Sequence, residues 1–448
     1  NMFRKKVLKI ALPVTLQSLL QSSFSVIDQV MIGQLGGKSI AGIGLGGKFA
    51  SLYSIVLASV ASAAGIMISQ YMGKKDDKLV SRSFFVSLVL SAAVAAVFLI
   101  ICVDCPDTVM GLYTKDVTVR KTAVRYLGIL SVSFLPMAVS SIVTTLLRCM
   151  EEAMLPLYAS IFALFLNTGL NYLLIFGKWI FPELGVGGAA LSSVISQLLS
   201  CVIVVIFFRD CIRKRGAKTE LSLAKGNGKT FCFGEYGRQY LSILCPMLAC
   251  EFLWGMGENV YTAIYGNIGT DACAAMTMTI PVQTLMIGAL SGLSQAAGIL
   301  VGKSLGKGKY EKAYAESKQM MICGLAGSLL LSAALIMVSP LYVRFYNVGT
   351  ELRELTKKLL IVYAVVAPVK IQNMILGGGI IRSGGKTKYI MWIDMAGTWI
   401  FGVPLGVFAA FFLKMPVTYV YFILSLEECV RLAASLVIFR KRVWMKSL

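Results

Sequence analysis

The chain has 448 residues, of which 57% are hydrophobic and 15% charged, with a mean hydropathy of +0.76. An apolar fraction this high excludes a soluble globular domain and a disordered chain, and the length excludes a small disulfide-stapled module, so the polypeptide belongs in a bilayer. The net charge of +21 would suit a nucleic-acid partner, unless the basic residues are distributed for another reason.

Crossing about 30 Å of hydrocarbon takes ~20 apolar residues as a helix. In chain order such runs lie near 7–33, 40–72, 80–103, 122–147, 155–177, 186–208, 240–266, 273–302, 319–342, 359–381, 389–412 and 416–439, which predicts twelve transmembrane helices. The first run is too long for a cleavable signal peptide and is followed directly by another span, so it reads as a retained helix. The second and eighth runs exceed the bilayer and predict tilt or a short interfacial extension. Most of the 43 Lys and Arg fall at the termini and in every second loop, which by the positive-inside rule puts both termini in the cytoplasm. The basic excess is therefore topology, and no nucleic-acid partner is expected. Lys9 and Arg82 stand at run ends and count with the adjoining terminus and loop; Lys48, Arg125, Lys370 and Arg431 are the others within the runs.

Setting Pro13 against Pro246 aligns residues 13–78 with 246–311 without a gap. Gly33 and Gly36 then meet Gly266 and Gly269, Ala63-Ala64-Gly65-Ile66 meets Ala296-Ala297-Gly298-Ile299, and Gly73-Lys74 meets Gly306-Lys307. A match that runs through two spans and their loops marks an internal duplication rather than shared apolar composition. Six spans is an even number, so both halves enter the membrane the same way round, as parallel repeats. The predicted fold is an all-α integral membrane protein of two pseudo-symmetric six-helix lobes, 1–208 and 240–448. A basic cytoplasmic linker, 209–239, joins them. Two matching bundles around a midplane cavity are the architecture of alternating access, hence of a transporter.

The energy source follows by exclusion. Residues 33–39 and 298–304 end in Gly-Lys-Ser but place three residues between their glycines, not the four of a phosphate loop, and neither follows a strand. Gly42, Gly44 and Gly47 have dinucleotide-motif spacing but lie in an apolar helix, where close helix packing is the sensible reading. No nucleotide or other cofactor is expected, and coupling to a proton or sodium gradient is the economical inference.

Acidic residues inside apolar runs are Asp28, Glu251, Glu258, Asp394, Glu427 and Glu428. Such a carboxylate must be protonated, paired or water-facing, which makes it a functional candidate. Asp28 is flanked by Gln17, Ser18, Gln21, Ser22, Ser23 and Ser25, several of them on its own helix face, and is the first candidate for cation coupling. Asn167 and Asn171, at i and i+4 of the fifth run, can join it. The repeat sets Glu258 against Ser25, on the face of Asp28, so Glu258 is a coupling candidate in the second lobe. Glu251, Trp254 and Glu258 fall at i, i+3 and i+7, a carboxylate, aromatic, carboxylate column suited to an organic cation. Tyr261, Gln283, Met286 and Asp394 complete the predicted substrate pocket, with methionine supplying an adaptable lining. Asp394 has an alternative as a helix-packing partner of Lys370 or Arg382. Glu428 is expected to pair with Arg431 at i+3, with Glu427 on a different face. Cys102 and Cys105 form C-x-x-C without a βαβ context and read as chance. The chain has no histidine, no metal site is expected, and no nucleophile and base arrangement suggests an enzyme.

Several of these segments resemble the multidrug and toxic compound extrusion (MATE) transporters. In the first half they are Pro13, Ile27-Asp28, Ile32-Gly33-Gln34-Leu35-Gly36, the stretch from Arg148 to Pro156, and Leu166-Asn167. In the second they are Pro246 with its acidic column, Gln295-Ala296-Ala297-Gly298, Gly302, Gly306, and Arg382-Ser383-Gly384-Gly385 with Thr387. The resemblance spans nearly the whole chain. It implies a V-shaped pair of lobes exporting amphipathic, often cationic compounds in exchange for protons or sodium, with Asp28 and Asn167 in the first lobe's cation site. Asn171 stands where many relatives carry Asp, and Trp254 occupies the column of the glutamate of the sodium-coupled branch. With fewer hard ligands for sodium, the proton is favoured. The expectation is thus a monomeric, multi-pass transporter of a bacterial plasma membrane acting on small organic cations or other amphipathic compounds. The runner-up is a lipid-linked glycan flippase of the same wider architecture, which needs a basic cavity; four Lys or Arg within the spans argue against it.

Overall fold

The computed structural model describes residues 2–215, 235–346 and 348–448; of the expected linker, residues 216–234 lie outside the described residues. The chain divides into two compact units, Leu16–Tyr236 and a second formed by Gly237–Leu448 with the stretch up to Thr15. The sequence groups the whole first helix with the first half, whereas its opening fifteen residues pack with the second. Gly292 is what allows this. A Cβ there would collide with the Ala11 carbonyl oxygen and the Thr15 hydroxyl, and Thr15 Oγ1 donates to the Ala289 carbonyl at 3.3 Å.

The first unit holds most of α1 (Met2–Gly33), then α2 (Gly37–Lys74), α3 (Asp77–Asp104) and a short α4 (Pro106–Tyr113). Next, α5 (Val117–Leu130) passes through a tight turn at Ser131–Ser133 into α6 (Phe134–Cys149), so that one membrane crossing is built from two helices. The unit closes with α7 (Met154–Phe176) and α8 (Val186–Arg215). The second unit contains α9 (Glu235–Ile268), α10 (Thr270–Gly306), α11 (Tyr310–Arg344) and α12 (Thr350–Asn373), which widens into π turns over Met374–Ile381. Then follow α13 (Thr387–Met395), π turns over Ala396–Gly402, α14 (Val403–Val407), further π turns over Phe408–Phe412, and α15 (Val417–Arg440).

Among the described residues eleven helices are long and apolar enough to cross a membrane, against the twelve expected. The exception is α15. It carries Glu427, Glu428, Arg431 and Arg440 in 24 residues, and the first three are buried inside the protein rather than facing lipid, so length qualifies the helix where composition does not. The sequence reading also passed over α4, whose eight residues are too few to register as a span.

Local chemistry sets the helix ends. Asp76 accepts a hydrogen bond from the Leu79 amide at 3.1 Å at the start of α3. Asp116 caps α5 through the amides of Thr118 at 2.8 Å and Val119 at 3.3 Å, and these bonds hold its carboxyl below the usual carboxylate range. Gly177 ends α7 in the left-handed region at φ 59°, where a Cβ would also meet the Glu183 backbone.

Close helix approach in the first unit rests on small residues. A Cβ on Gly46 would lie 2.8 Å from the Tyr126 ring, and Gly42 sits against Thr122. Gly44 and Gly47 face open space, so the packing contact is made by Gly42 and Gly46 and not by the spaced triplet. Beside this seam Tyr53 is fully buried, stacks on Phe134 at 4.3 Å between centroids and donates to the Phe134 carbonyl at 2.6 Å. The buried Tyr53 ring is therefore satisfied at its hydroxyl as well as on its apolar faces.

Candidate functional site

In the first unit the polar side chains of α1, α7 and α8 converge within apolar surroundings. Asn171 Nδ2 donates to Asp28 Oδ1 at 3.0 Å and to Asn167 Oδ1 at 3.3 Å. Asn171 Oδ1 in turn accepts from the Ser192 hydroxyl, and Asn167 Nδ2 donates to Ser193 Oγ at 3.4 Å. The i, i+4 spacing of Asn167 and Asn171 puts both amides on the face of α7 that meets α1 and α8. Asn171 is 3% exposed, while Asp28 is only partly buried. The result is one carboxylate oriented by a chain of neutral groups. Such a group can take up a proton without breaking an ion pair, and it offers a cation one charged oxygen. Gln17, from the same face of α1, belongs to a different contact: it accepts from Arg148 Nη2 at 2.7 Å and donates to Ser160 Oγ at 2.6 Å.

In the second unit the acids gather around two cavities. The smaller, of about 130 Å³, is lined by Glu258, Tyr261, Gln283, Lys370, Glu427 and Glu428 among others. The larger, of about 410 Å³, takes Glu251, Trp254, Lys370, Arg382, Asp394, Glu428 and Arg431. Lys370 and Glu428 line both. Arg431 is the hub. Its guanidinium lies 3.7 Å from Asp394 Oδ1 and 3.5 Å from Glu427 Oε1, and it donates to the Thr398 hydroxyl. Glu427 also accepts from the Tyr261 hydroxyl, Glu428 accepts from Asn373 Nδ2 at 2.8 Å, and Asp394 accepts from the Cys250 thiol at 2.7 Å. Arg382 pairs with Glu251 at 3.4 Å. Glycines in the π turns make room for this cluster: a Cβ on Gly397 would lie 2.6 Å from Arg431 Cγ, and one on Gly402 would intrude on the Tyr261–Glu427 bond. Wide π turns and missing side chains together admit charged groups between helices that would otherwise close.

Comparisons with known proteins agree with this architecture. The MatE family model matches residues 13–173 and again 246–408, and its two matches begin at the paired Pro13 and Pro246 of the duplication. This chain belongs to the MatE family. Among curated relatives, the chain is 24% identical over 414 residues to a probable multidrug resistance protein NorM of Thermotoga maritima, covering 90% of this chain and 85% of that one. It is 22% identical over 446 residues to the uncharacterized transporter YisQ of Bacillus subtilis, covering 97% and 93%. A solved structure of MATE in complex with MaL6 superposes with a TM-score of 0.88 at 15% identity, covering 98% of this chain and 96% of that one. A MOP superfamily transporter from Pyrococcus furiosus, described as having a binding pocket of reversed polarity, gives 0.85 at 15% identity, with the same coverage.

Within this MATE-family chain the structure brings Asp28, Asn167 and Asn171 together, and it divides the candidates of the second unit. Glu251 and Trp254 line the larger cavity and Glu258 the smaller, so the predicted acidic column is split. Arg382 pairs with Glu251 on the side of the larger cavity. Tyr261 and Gln283 line the smaller cavity and Asp394 the larger. Met286 is a correction: it lies in the apolar core of the unit, 6% exposed, and lines neither cavity. The partner of Asp394 is Arg431, not Lys370 or Arg382, and Arg431 takes Glu427 at i+4 while Glu428 turns to Asn373. Glu427 and Glu428 nonetheless line one cavity, because the cavity lies along their shared helix edge. Counting basic residues by hydropathy also fell short. Arg148 and Arg382, which the apolar runs stop just short of, are partly buried and engaged with Gln17 and Glu251. Sequence reasoning missed Ser192 and Ser193, for which the only signal is a serine pair in an otherwise apolar helix, and it missed Arg431 as a hub, although its spacing from Glu427 was legible.

Proposed function

We propose that this MATE-family transporter is a secondary antiporter that exports amphipathic, cationic small organic compounds by alternating access, in exchange for protons or sodium. The observation that carries the reading is the isolated carboxylate of Asp28, held by Asn171 and backed by Asn167, in the membrane-crossing part of α1. A cation entering this network meets a single negative charge among amides and hydroxyls. That suits a proton better than sodium, which prefers several hard oxygen ligands. The second unit supplies the drug-binding chemistry: Trp254 and Glu251 border a cavity large enough for a drug-sized molecule, and Glu258 with Tyr261 and Gln283 borders its neighbour. Asp394 contributes charge to the wall of the larger cavity. The protein lies in a bacterial plasma membrane with both termini in the cytoplasm, the working unit is a monomer of two lobes, and no cofactor beyond the coupling ion takes part.

A carboxyl-reactive carbodiimide tests the assignment. Asp28 is expected to be labelled in the purified protein, a lipophilic cation to protect it, and a higher pH to slow the labelling, because the reagent adds to the protonated carboxyl. Labelling that neither ligand nor proton alters would remove Asp28 from the coupling site.

A further inference from the structure

The turn that joins α10 to α11 gathers charge of one sign. Lys303 lies in the last turn of α10, Lys307 closes that helix, Lys309 precedes α11, and Lys312 sits in its first turn. Gly308, at φ 70°, lets the chain reverse here, and the Gly308 and Lys309 amides donate to the Leu305 and Ser304 carbonyls at 2.9 and 3.0 Å. The opening stretch of α1 packs with this unit and brings Lys6 to the same end. Partial burial, and then the charges of Lys6, Lys312, Lys303 and Lys309, hold the Lys307 ammonium below its ordinary 10.5. Two acids adjoin the cluster, and both are engaged. Buried Glu316 accepts from the Ser304 hydroxyl at 2.7 Å and pairs with Lys312 at 3.8 Å, while Glu311 is taken by Arg442. Among the described residues no carboxylate pairs with Lys307 or Lys309, and both are exposed.

The exposed face of α11 begins at this cluster. From Lys312 it continues at i+3 and i+4 spacing through Ala315, Gln319 and Ile322 to Ala326 and Leu329, with Ile322 67% and Leu329 54% exposed. From Lys312 to Ile322 is about 15 Å along the helix, half the thickness of the hydrocarbon. A free anion has no use for an apolar strip, whereas a phospholipid needs both a cation for its phosphate and a hydrocarbon surface for its chains. We propose that the α10–α11 turn is a receptor for the phosphodiester headgroup of an anionic phospholipid, held by Lys307 and Lys309 with its acyl chains along α11. A headgroup there replaces repulsion among like charges with attraction, and the pairs made by Glu316 and Glu311 stay intact. The site shares no residue with either cavity, so it is independent of what is transported.

Native mass spectrometry of the purified full chain in detergent tests this by comparing phosphatidylglycerol with phosphatidylcholine of the same acyl chains. The wild type is expected to bind the first phosphatidylglycerol about twentyfold more tightly, at about fivefold (~1 kcal/mol) for each of the two lysines. Lys307→Gln combined with Lys309→Gln should lower that ratio about tenfold, whereas Lys307→Arg with Lys309→Arg, which keeps the charge, should hold it within about twofold. Lys357→Gln with Lys358→Gln, an equal loss of charge on α12, should also leave it within about twofold. Equal affinity for the two lipids in the wild type, a ratio unmoved in the glutamine variant of the turn, or the same fall in the α12 control would overturn the receptor. Glycerophosphoglycerol, the same headgroup without chains, is expected not to displace the lipid even in large excess. Displacement would assign the turn to a soluble phosphodiester and overturn the lipid as its occupant.

Discussion

Arg431 is the residue whose loss the second unit should feel most. It is 8% exposed and is shared by Asp394 at 3.7 Å and Glu427 at 3.5 Å, with the Thr398 hydroxyl as a third partner. Arg431→Met nearly preserves the side-chain volume but strands two carboxylates. Removing one member of a buried pair costs about 3–5 kcal/mol, because the remaining charge keeps its desolvation penalty. In a unit of this size each kcal/mol moves the unfolding midpoint by roughly 2–4 °C, so a fall of about 10 °C is expected. The assay is intrinsic-fluorescence unfolding of the purified protein in detergent. Adding Glu427→Gln to Arg431→Met removes one stranded charge while leaving an amide that still accepts from Tyr261, and should recover about half the loss. A drop below about 2 °C in the single variant, or a double variant no better than the single, would refute the view that the cluster is held by its shared cation.

Three further outcomes follow from the same geometry. Asn171→Ala deprives Asp28 of its only side-chain donor among the described residues and should weaken protection of Asp28 from carbodiimide by substrate several-fold, read by mass spectrometry of the labelled peptide. Gly402→Val inserts a side chain into the Tyr261–Glu427 bond and should lower the unfolding midpoint by about 5 °C, whereas Gly44→Val, facing open space, should move it by less than about 2 °C. Partial burial lowers the Lys307 ammonium from its ordinary 10.5, and Lys6, Lys312, Lys303 and Lys309 lower it further. The unfolded chain therefore binds this proton more tightly than the folded one, so the penalty is complete below the folded value and fades as pH rises through it toward 10.5. Lys307 is exposed, so Lys307→Gln should raise the midpoint by only about 1 °C at pH 7, with the gain erased in high salt or above about pH 10. A gain that salt leaves untouched would mean repulsion is not its source.

Much of this architecture was readable before any coordinates, and the reasons are physical. Apolar runs of bilayer length are written along the chain because a helix in lipid must satisfy its backbone internally, and the duplication from Pro13 and Pro246 survives as an ungapped alignment. Asp28 with Asn167 and Asn171 was legible because helical spacing alone puts the two amides on one face. The pairing of the acids in the second unit was not. Whether Glu251 faces a ligand or Arg382, and whether Asp394 meets Lys370 or Arg431, depends on which helix lies across from it, and single-helix periodicity carries no information on that. Met286 illustrates the same limit, since methionine suits a pocket and a core equally well. The π turns that seat Arg431 and Tyr261 were also invisible, because glycine in an apolar run reads simply as close packing.

Reconstituting the protein into liposomes and following efflux of a fluorescent lipophilic cation under an imposed pH gradient, for wild type and Asp28→Asn, tests antiport through Asp28 most directly. The account predicts that the pH gradient alone drives efflux in the wild type and that Asp28→Asn abolishes it. Transport driven only by sodium, or an Asp28→Asn variant as active as the wild type, would contradict it.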